Sequence, residues 1–111
     1  MSLSLILTAM LALQAGTSVL LHWQVPANPS AQVVGYNVYR QDTPSAPWVK
    51  INTSLVPSAQ DKDETVRRGH SYSYSVRSVD EKGNESAPSQ PWSVKVPKKA
   101  KKLLQARQAR P

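Results

Sequence analysis

The chain has no cysteine and no phenylalanine, four glycines in 111 residues, and no acidic residue after Glu85. Without cysteine there is no disulfide framework, no thiolate zinc cluster and no thiol nucleophile. With so little glycine there is no phosphate-cradling loop. Serine is abundant, yet no Gly-x-Ser-x-Gly elbow occurs and no serine falls into a recognisable order with a histidine and an acid. Long hydrophobic runs are also missing. The apolar stretch Leu3 to Leu13 is shorter than the ~20 residues a membrane-spanning helix needs. These absences argue against an enzyme, a cofactor site and an integral membrane segment.

The formal charge of +7 is placed unevenly. Met1 to Val96 carries eight Lys or Arg against seven Asp or Glu, so the body is near neutral. Lys98, Lys99, Lys101, Lys102, Arg107 and Arg110 then follow without an acid among them. Residues 98–111 therefore read as a basic tail, without regular structure or marginally helical, because a short run of good helix formers is barely stable alone in water. Such a tail suits weak, nonspecific contact with an anionic polymer: nucleic acid, a cell-wall polymer or a membrane surface.

Two readings stand for residues 1–15. The apolar stretch ends in Leu13-Gln14-Ala15-Gly16, a small-residue exit like that of a secretory leader, although Met1-Ser2 carries no Lys or Arg. The same stretch alternates with period two, placing Leu3, Leu5, Leu7, Leu11 and Leu13 on one face, as an edge strand would. A leader implies a secreted or cell-envelope protein; a strand leaves a cytoplasmic location open.

From Ser18 onward short strands alternate with turn residues. Val19, Leu21 and Trp23 share one face, and the prolines of Pro26 to Pro29 then break the chain. Val34 to Arg40 reads as the next strand, with Val34, Tyr36 and Val38 inward, followed by short strands at Trp48 to Ile51 and Glu64 to Val66. In Ser71 to Arg77 tyrosine and valine alternate with serine, so Tyr72, Tyr74 and Val76 face a core and the serines face water. Asp80 to Glu85 is a hairpin connection with Gly83 and Asn84 suited to positive φ. The last strand, Trp92 to Val96, turns Trp92, Val94 and Val96 inward. Amphipathic strands at this spacing call for two antiparallel sheets packed face to face.

Four segments resemble the fibronectin type III family: Ser18 to Trp23 with its buried tryptophan, Gly35 to Arg40, Gly69 to Val76, and Val79 to Ser89, the last similar to bacterial members. The resemblance spans most of residues 18–97, and residues 16–97 are the expected domain. It implies an all-β, immunoglobulin-like sandwich of about seven strands, a tyrosine corner at Tyr72, and structural roles for Trp23, Tyr36 and Tyr72. The pattern also asks for a strand ahead of the Trp23 strand. The implied role is a non-enzymatic interaction or spacer module, extracellular or envelope-associated, for a protein or polysaccharide partner. There is no Arg-Gly-Asp, so the integrin mode does not transfer.

Other residues have plain readings. His22 and His70 are expected on the surface, and Asp61, Asp63 and Glu64 lack the spacing and glycine of a calcium loop, so turn capping is the expected role. Asn52-Thr53-Ser54 and Asn84-Glu85-Ser86 match the glycosylation acceptor pattern. Tyr39 and Trp48 are the aromatic residues free to stack on a sugar or peptide, unless Trp48 packs over the sheet edge.

Overall fold

The computed structural model describes residues 6–13, 17–25, 32–99 and 104–106. The strands are β1 (Ile6–Leu13), β2 (Thr17–Gln24), β3 (Val33–Gln41), β4 (Val49–Lys50), β5 (Gln60–Asp63), β6 (Ser71–Asp80), β7 (Trp92–Lys95) and β8 (Leu104–Ala106). One sheet has the order β5-β2-β1-β8 and the other β4-β3-β6-β7, every pairing antiparallel. This is an all-β, immunoglobulin-like sandwich.

Alternation along the strands builds the core. Val19, Leu21 and Trp23 of β2 meet Tyr36 and Val38 of β3, Tyr72, Tyr74 and Val76 of β6, and Val94 and Val96 around β7. Trp23 packs edge-on against Tyr36, ring centroids 5.3 Å apart, the arrangement aromatic quadrupoles favour. Trp92 is partly buried against the same cluster. The hydroxyl of Tyr72 accepts the backbone N–H of Arg67 at 2.8 Å and fixes the corner leading into β6.

Ile6–Leu13 pairs with β2 along its whole length, Ile6 opposite Gln24 and Leu13 opposite Thr17. This is the strand that the family pattern asks for ahead of the Trp23 strand. The exit residues Gln14, Ala15 and Gly16, the Leu3 and Leu5 end of the alternation, and the Pro26 to Ser30 break lie outside the described residues. On its other edge β1 pairs with β8, Leu11 opposite Leu104. Part of the segment expected to be irregular or helical is thus a strand: the open ladder of β1 offers backbone partners that an isolated peptide in water lacks.

Three further expectations are corrected. Val34 does not face the core but is 46% exposed. Val33 pairs with Asp80 and Gly35 with Val79, so Val34 is the extra residue of a bulge and Val33 takes the inward place. The strand expected at Glu64 to Val66 lies earlier, at Gln60–Asp63. The Asp63 side chain accepts the Thr65 N–H at 3.0 Å, and this local turn ends the ladder. Finally, the serine face of β6 is wet only in part, since Ser75 is buried.

The cover over Ser75 is the connection Ser86 to Gln90, where Ser89 O accepts the Ser75 hydroxyl at 2.9 Å. Ser86 donates its N–H to Ser78 O at 2.8 Å, and its hydroxyl accepts the Ser78 N–H at 2.9 Å. Ser89 repeats the exchange with Val76, at 2.9 Å each way. The two hydroxyls thus take the place of the backbone carbonyls that would accept from β6 in a continuous ladder, the pairing that β7 makes with backbone further on.

Candidate functional site

Two polar constellations stand out, one between the sheets and one on the outer face of β4-β3-β6-β7. The first is built around Asp63, which is 4% exposed at the end of β5. Its carboxylate accepts from Tyr74 Oη at 2.7 Å, Arg40 Nη1 at 2.9 Å, and the Thr65 hydroxyl and N–H at 2.7 and 3.0 Å. Arg40 also binds Asp42 at 2.7 Å through Nε and lies 4.8 Å over the Tyr72 ring. Because β5 belongs to one sheet and β3 and β6 to the other, the cluster ties the two layers together.

Burial pulls the Asp63 carboxyl upward, but hydrogen bonds from Thr65, Tyr74 and Arg40 outweigh it and hold the group below its ordinary value. Burial and the neighbouring carboxylate push the Tyr74 phenol well above its own. The cluster is charged, paired and closed to a ligand, so its role is structural. Capping by Asp63, expected for a loop, is here joined to a buried ion pair. Composition could not reveal it, because Arg40 and Asp63 are 23 residues apart.

The second constellation faces outward. Antiparallel pairing of β3 with β6 sets Asn37 opposite Arg77 and Tyr39 opposite Ser75. Glu85, anchored by a bridge to Val79, reaches over them. Its Oε2 accepts from Asn37 Nδ2 at 2.8 Å and from Tyr39 Oη at 2.5 Å. The Arg77 guanidinium lies 5.7 Å over the Tyr39 ring and donates to Ser86 O at 3.1 Å. Asn52 supports Asn37 from behind, donating to its Oδ1 at 2.9 Å.

Trp48, 39% exposed ahead of β4, stands beside this cluster. With Tyr39, Arg77, Glu85, Pro88 and Gln90 it lines an open groove of about 590 Å³. Burial and the bond to Glu85 push the Tyr39 phenol up to about 12, so it remains a neutral donor near pH 7. Glu85, which burial would raise, is held below its ordinary value by the bonds from Tyr39 and Asn37 and by the positive charge of Arg77. The groove thus offers one exposed indole, a guanidinium and a fixed anion. Such a set can stack on a flat ring and hydrogen-bond its edge. A second hollow of about 640 Å³, beside the edge strand β5, has His22 but no Trp or Tyr in its lining.

The remaining candidate residues do not converge. His22 and His70 are exposed, and the His70 ring stacks on Tyr72 at 6.3 Å. Asp61, Asp63 and Glu64 point to different surroundings, and among the described residues no group of three His, Asp or Glu has the geometry to hold a metal. The Asn52 amide is committed to Val38 N, Asn37 and Ser54 O, whereas Asn84 is exposed. Lys98 and Lys99 are exposed; Lys101, Lys102, Arg107 and Arg110 lie outside the described residues. Among the described residues, no helix is long and apolar enough to cross a membrane.

No family model matches the sequence. Solved structures do. An Fn3-like protein from Clostridium thermocellum is 26% identical and superimposes with a TM-score of 0.64, over 89% of this chain and 95% of that one. The fibronectin type III domain of human fibronectin type III domain containing protein 3 is 22% identical, TM-score 0.59, over 81% and 84%. Some other matches are to parts of longer chains: this chain spans 15% of the twitchin kinase region from C. elegans, at 22% identity and TM-score 0.65. Sandwich topology, buried Trp23, tyrosine corner and structural neighbours agree: the chain is a fibronectin type III-like domain.

Proposed function

We propose that this domain is a non-enzymatic interaction or spacer module whose contact surface is the groove between Tyr39, Trp48, Arg77 and Glu85. The observation that carries this reading is the exposed indole of Trp48 beside a carboxylate already fixed by Tyr39 and Asn37. A site whose polar groups are pre-set loses little entropy on binding, and exposed aromatic and arginine side chains are the usual anchors of interfaces. The partner is a protein or polysaccharide that presents a flat ring or proline to the indole. Domains of this shape within a pectate lyase from Erwinia chrysanthemi and a beta-1,2-glucanase from Parabacteroides distasonis, at 28% and 13% of those chains, support the module reading and a polysaccharide among the partners.

The role does not depend on compartment, since a sandwich without cysteine folds alike in reducing and oxidising surroundings. An extracellular or envelope location belongs to this proposal only with removal of residues 1–15; the intact mass of the native protein tests that. Glycan and peptide arrays probed with the full chain test the groove. Trp48→Ala should weaken any captured partner by more than about tenfold, the loss of a ~2 kcal/mol anchor. Undiminished capture by that variant, or turnover of a captured substrate, would overturn the reading.

A further inference from the structure

The positive charge of this protein does not begin at its tail. Arg67 and Arg68 sit in the β5–β6 loop, Lys95 ends β7, and Lys98 and Lys99 follow it, all exposed. Backbone bonds bring the two segments together: Gly69 N–H donates to Val96 O at 2.8 Å, and Val96 N–H to His70 O at 2.8 Å. Lys95 lies opposite Ser71, and the Lys98 stem passes over Gly69, close enough that a β-carbon there would meet its Cγ at 3.3 Å.

The acids of this end are already engaged. Asp42 and Asp63 hold Arg40, and Glu64 pairs with Lys62 at 3.4 Å. Asp61 sits two residues further back along β5, opposite Leu21. Among the described residues none of Arg67, Arg68, Lys95, Lys98 and Lys99 is in an ion pair. Five uncompensated cations on two adjoining segments raise the local potential far above that of a near-neutral body. The sequence then continues with four more basic residues.

We propose that this end of the sandwich is a folded binding site for an acidic polysaccharide, held through its sulfate or carboxylate groups by Arg67, Arg68, Lys95 and Lys98. Local chemistry favours that class. Nucleic-acid single strands are gripped by aromatic platforms, and here the Tyr72 ring is buried and His70 is stacked upon it. Membrane surfaces are gripped largely by apolar side chains inserted among headgroups; among the described residues, the exposed large hydrophobics Val25, Val34, Trp48, Val49 and Leu55 all belong to other segments. The site is separate from the Trp48 groove and stands or falls independently of it.

The test uses the full chain and two probes, heparin for sulfate and polygalacturonate for carboxylate, with Arg67→Gln/Arg68→Gln/Lys95→Gln, all outside the tail, as the variant and Arg67→Lys/Arg68→Lys as its charge-conserving control. The tail is present in all. Three lost charges should lower the slope of log affinity against log salt by roughly two, at about 0.7 per neutralised group, and weaken binding by tenfold or more at low salt. The control should bind like the parent, and all melting temperatures should agree. The better probe tells sulfate from carboxylate. An unchanged slope in the triple variant would place binding in the tail alone and sink the proposal, as would tighter binding of duplex DNA or anionic vesicles than of either polysaccharide.

Discussion

Replacing Asp63 by Asn keeps the shape of the inter-sheet tie and removes its charge. In the parent, one buried carboxylate satisfies Tyr74 Oη, Arg40 Nη1 and two donors of Thr65. An amide at that place supplies one acceptor oxygen, and turns an NH₂ toward groups that are themselves donors. Removing one partner of a buried pair costs about 3–5 kcal/mol. The lower end applies, because the Arg40 side chain is 15% exposed and keeps Asp42. About 3 kcal/mol corresponds to a fall in melting temperature of about 12–20 °C for a domain of this size.

The sign of the pH dependence follows from the shift. Asp63 has its folded pKa below the ordinary 3.8, so its contribution is fully present above about pH 5 and is lost as pH falls through the folded value. Thermal melts of parent and Asp63→Asn should differ most near neutrality and converge toward pH 2, the variant having the flatter acid limb. Tyr74 acts at the other end. Its folded pKa is raised above 10.0, so its contribution is full below pH 10 and is lost as pH rises beyond it. If Asp63→Asn melts within 2 °C of the parent, or the two curves stay parallel into acid, the tie does not stabilise the fold.

Trp23→Ala should destabilise by about 3–5 kcal/mol, as for other buried large aromatics; a variant melting within a few degrees of the parent would contradict the packing against Tyr36. Tyr72→Phe removes the acceptor of the Arg67 N–H and should cost about 1–2 kcal/mol in chemical denaturation without changing the slope against denaturant. Removing residues 1–15 strips β1 from β2 and should lower stability by several kcal/mol, with lost protection in β2 amide exchange. A chain starting at Gly16 that melts like the parent would mean that the first hairpin is dispensable.

What was legible in the sequence is what period two dictates. Tyr72, Tyr74 and Val76 lie inward because every second residue must, and Trp23 and Val38 follow the same rule. Alternation fails where an extra residue enters, so period two puts Val34 on the wrong face: nothing local distinguishes Val33-Val34 from an unbroken strand. The outer polar groups were harder still. Asn37 and Glu85 are 48 residues apart and Arg40 and Asp63 are 23 apart, so each pair exists only once sheet register is fixed. Tyr39 and Trp48 could be named as aromatic residues but not as neighbours. The Ser86 and Ser89 pairing did leave a trace, since serines among prolines beside a strand supply the acceptors that a broken ladder needs.

The same register explains why binding surfaces and stabilising network do not compete. Inward positions of β3 and β6 are filled by Tyr36, Val38, Tyr72, Tyr74 and Val76, and the Asp63 tie occupies the seam between the layers, so neither reaches the outer sheet face. Groove residues Trp48 and Gln90 come from connections, as do Arg67, Arg68 and Lys98 at the basic end. Substitution there touches exposed side chains with few partners, and its effect on stability stays within about 0.5 kcal/mol. A partner carrying both an aromatic-binding and an anionic group can therefore be met by two surfaces on one rigid body, the second contact forming at the effective concentration set by the first. Charge and ring chemistry can then change independently while the Trp23 and Asp63 clusters hold their spacing.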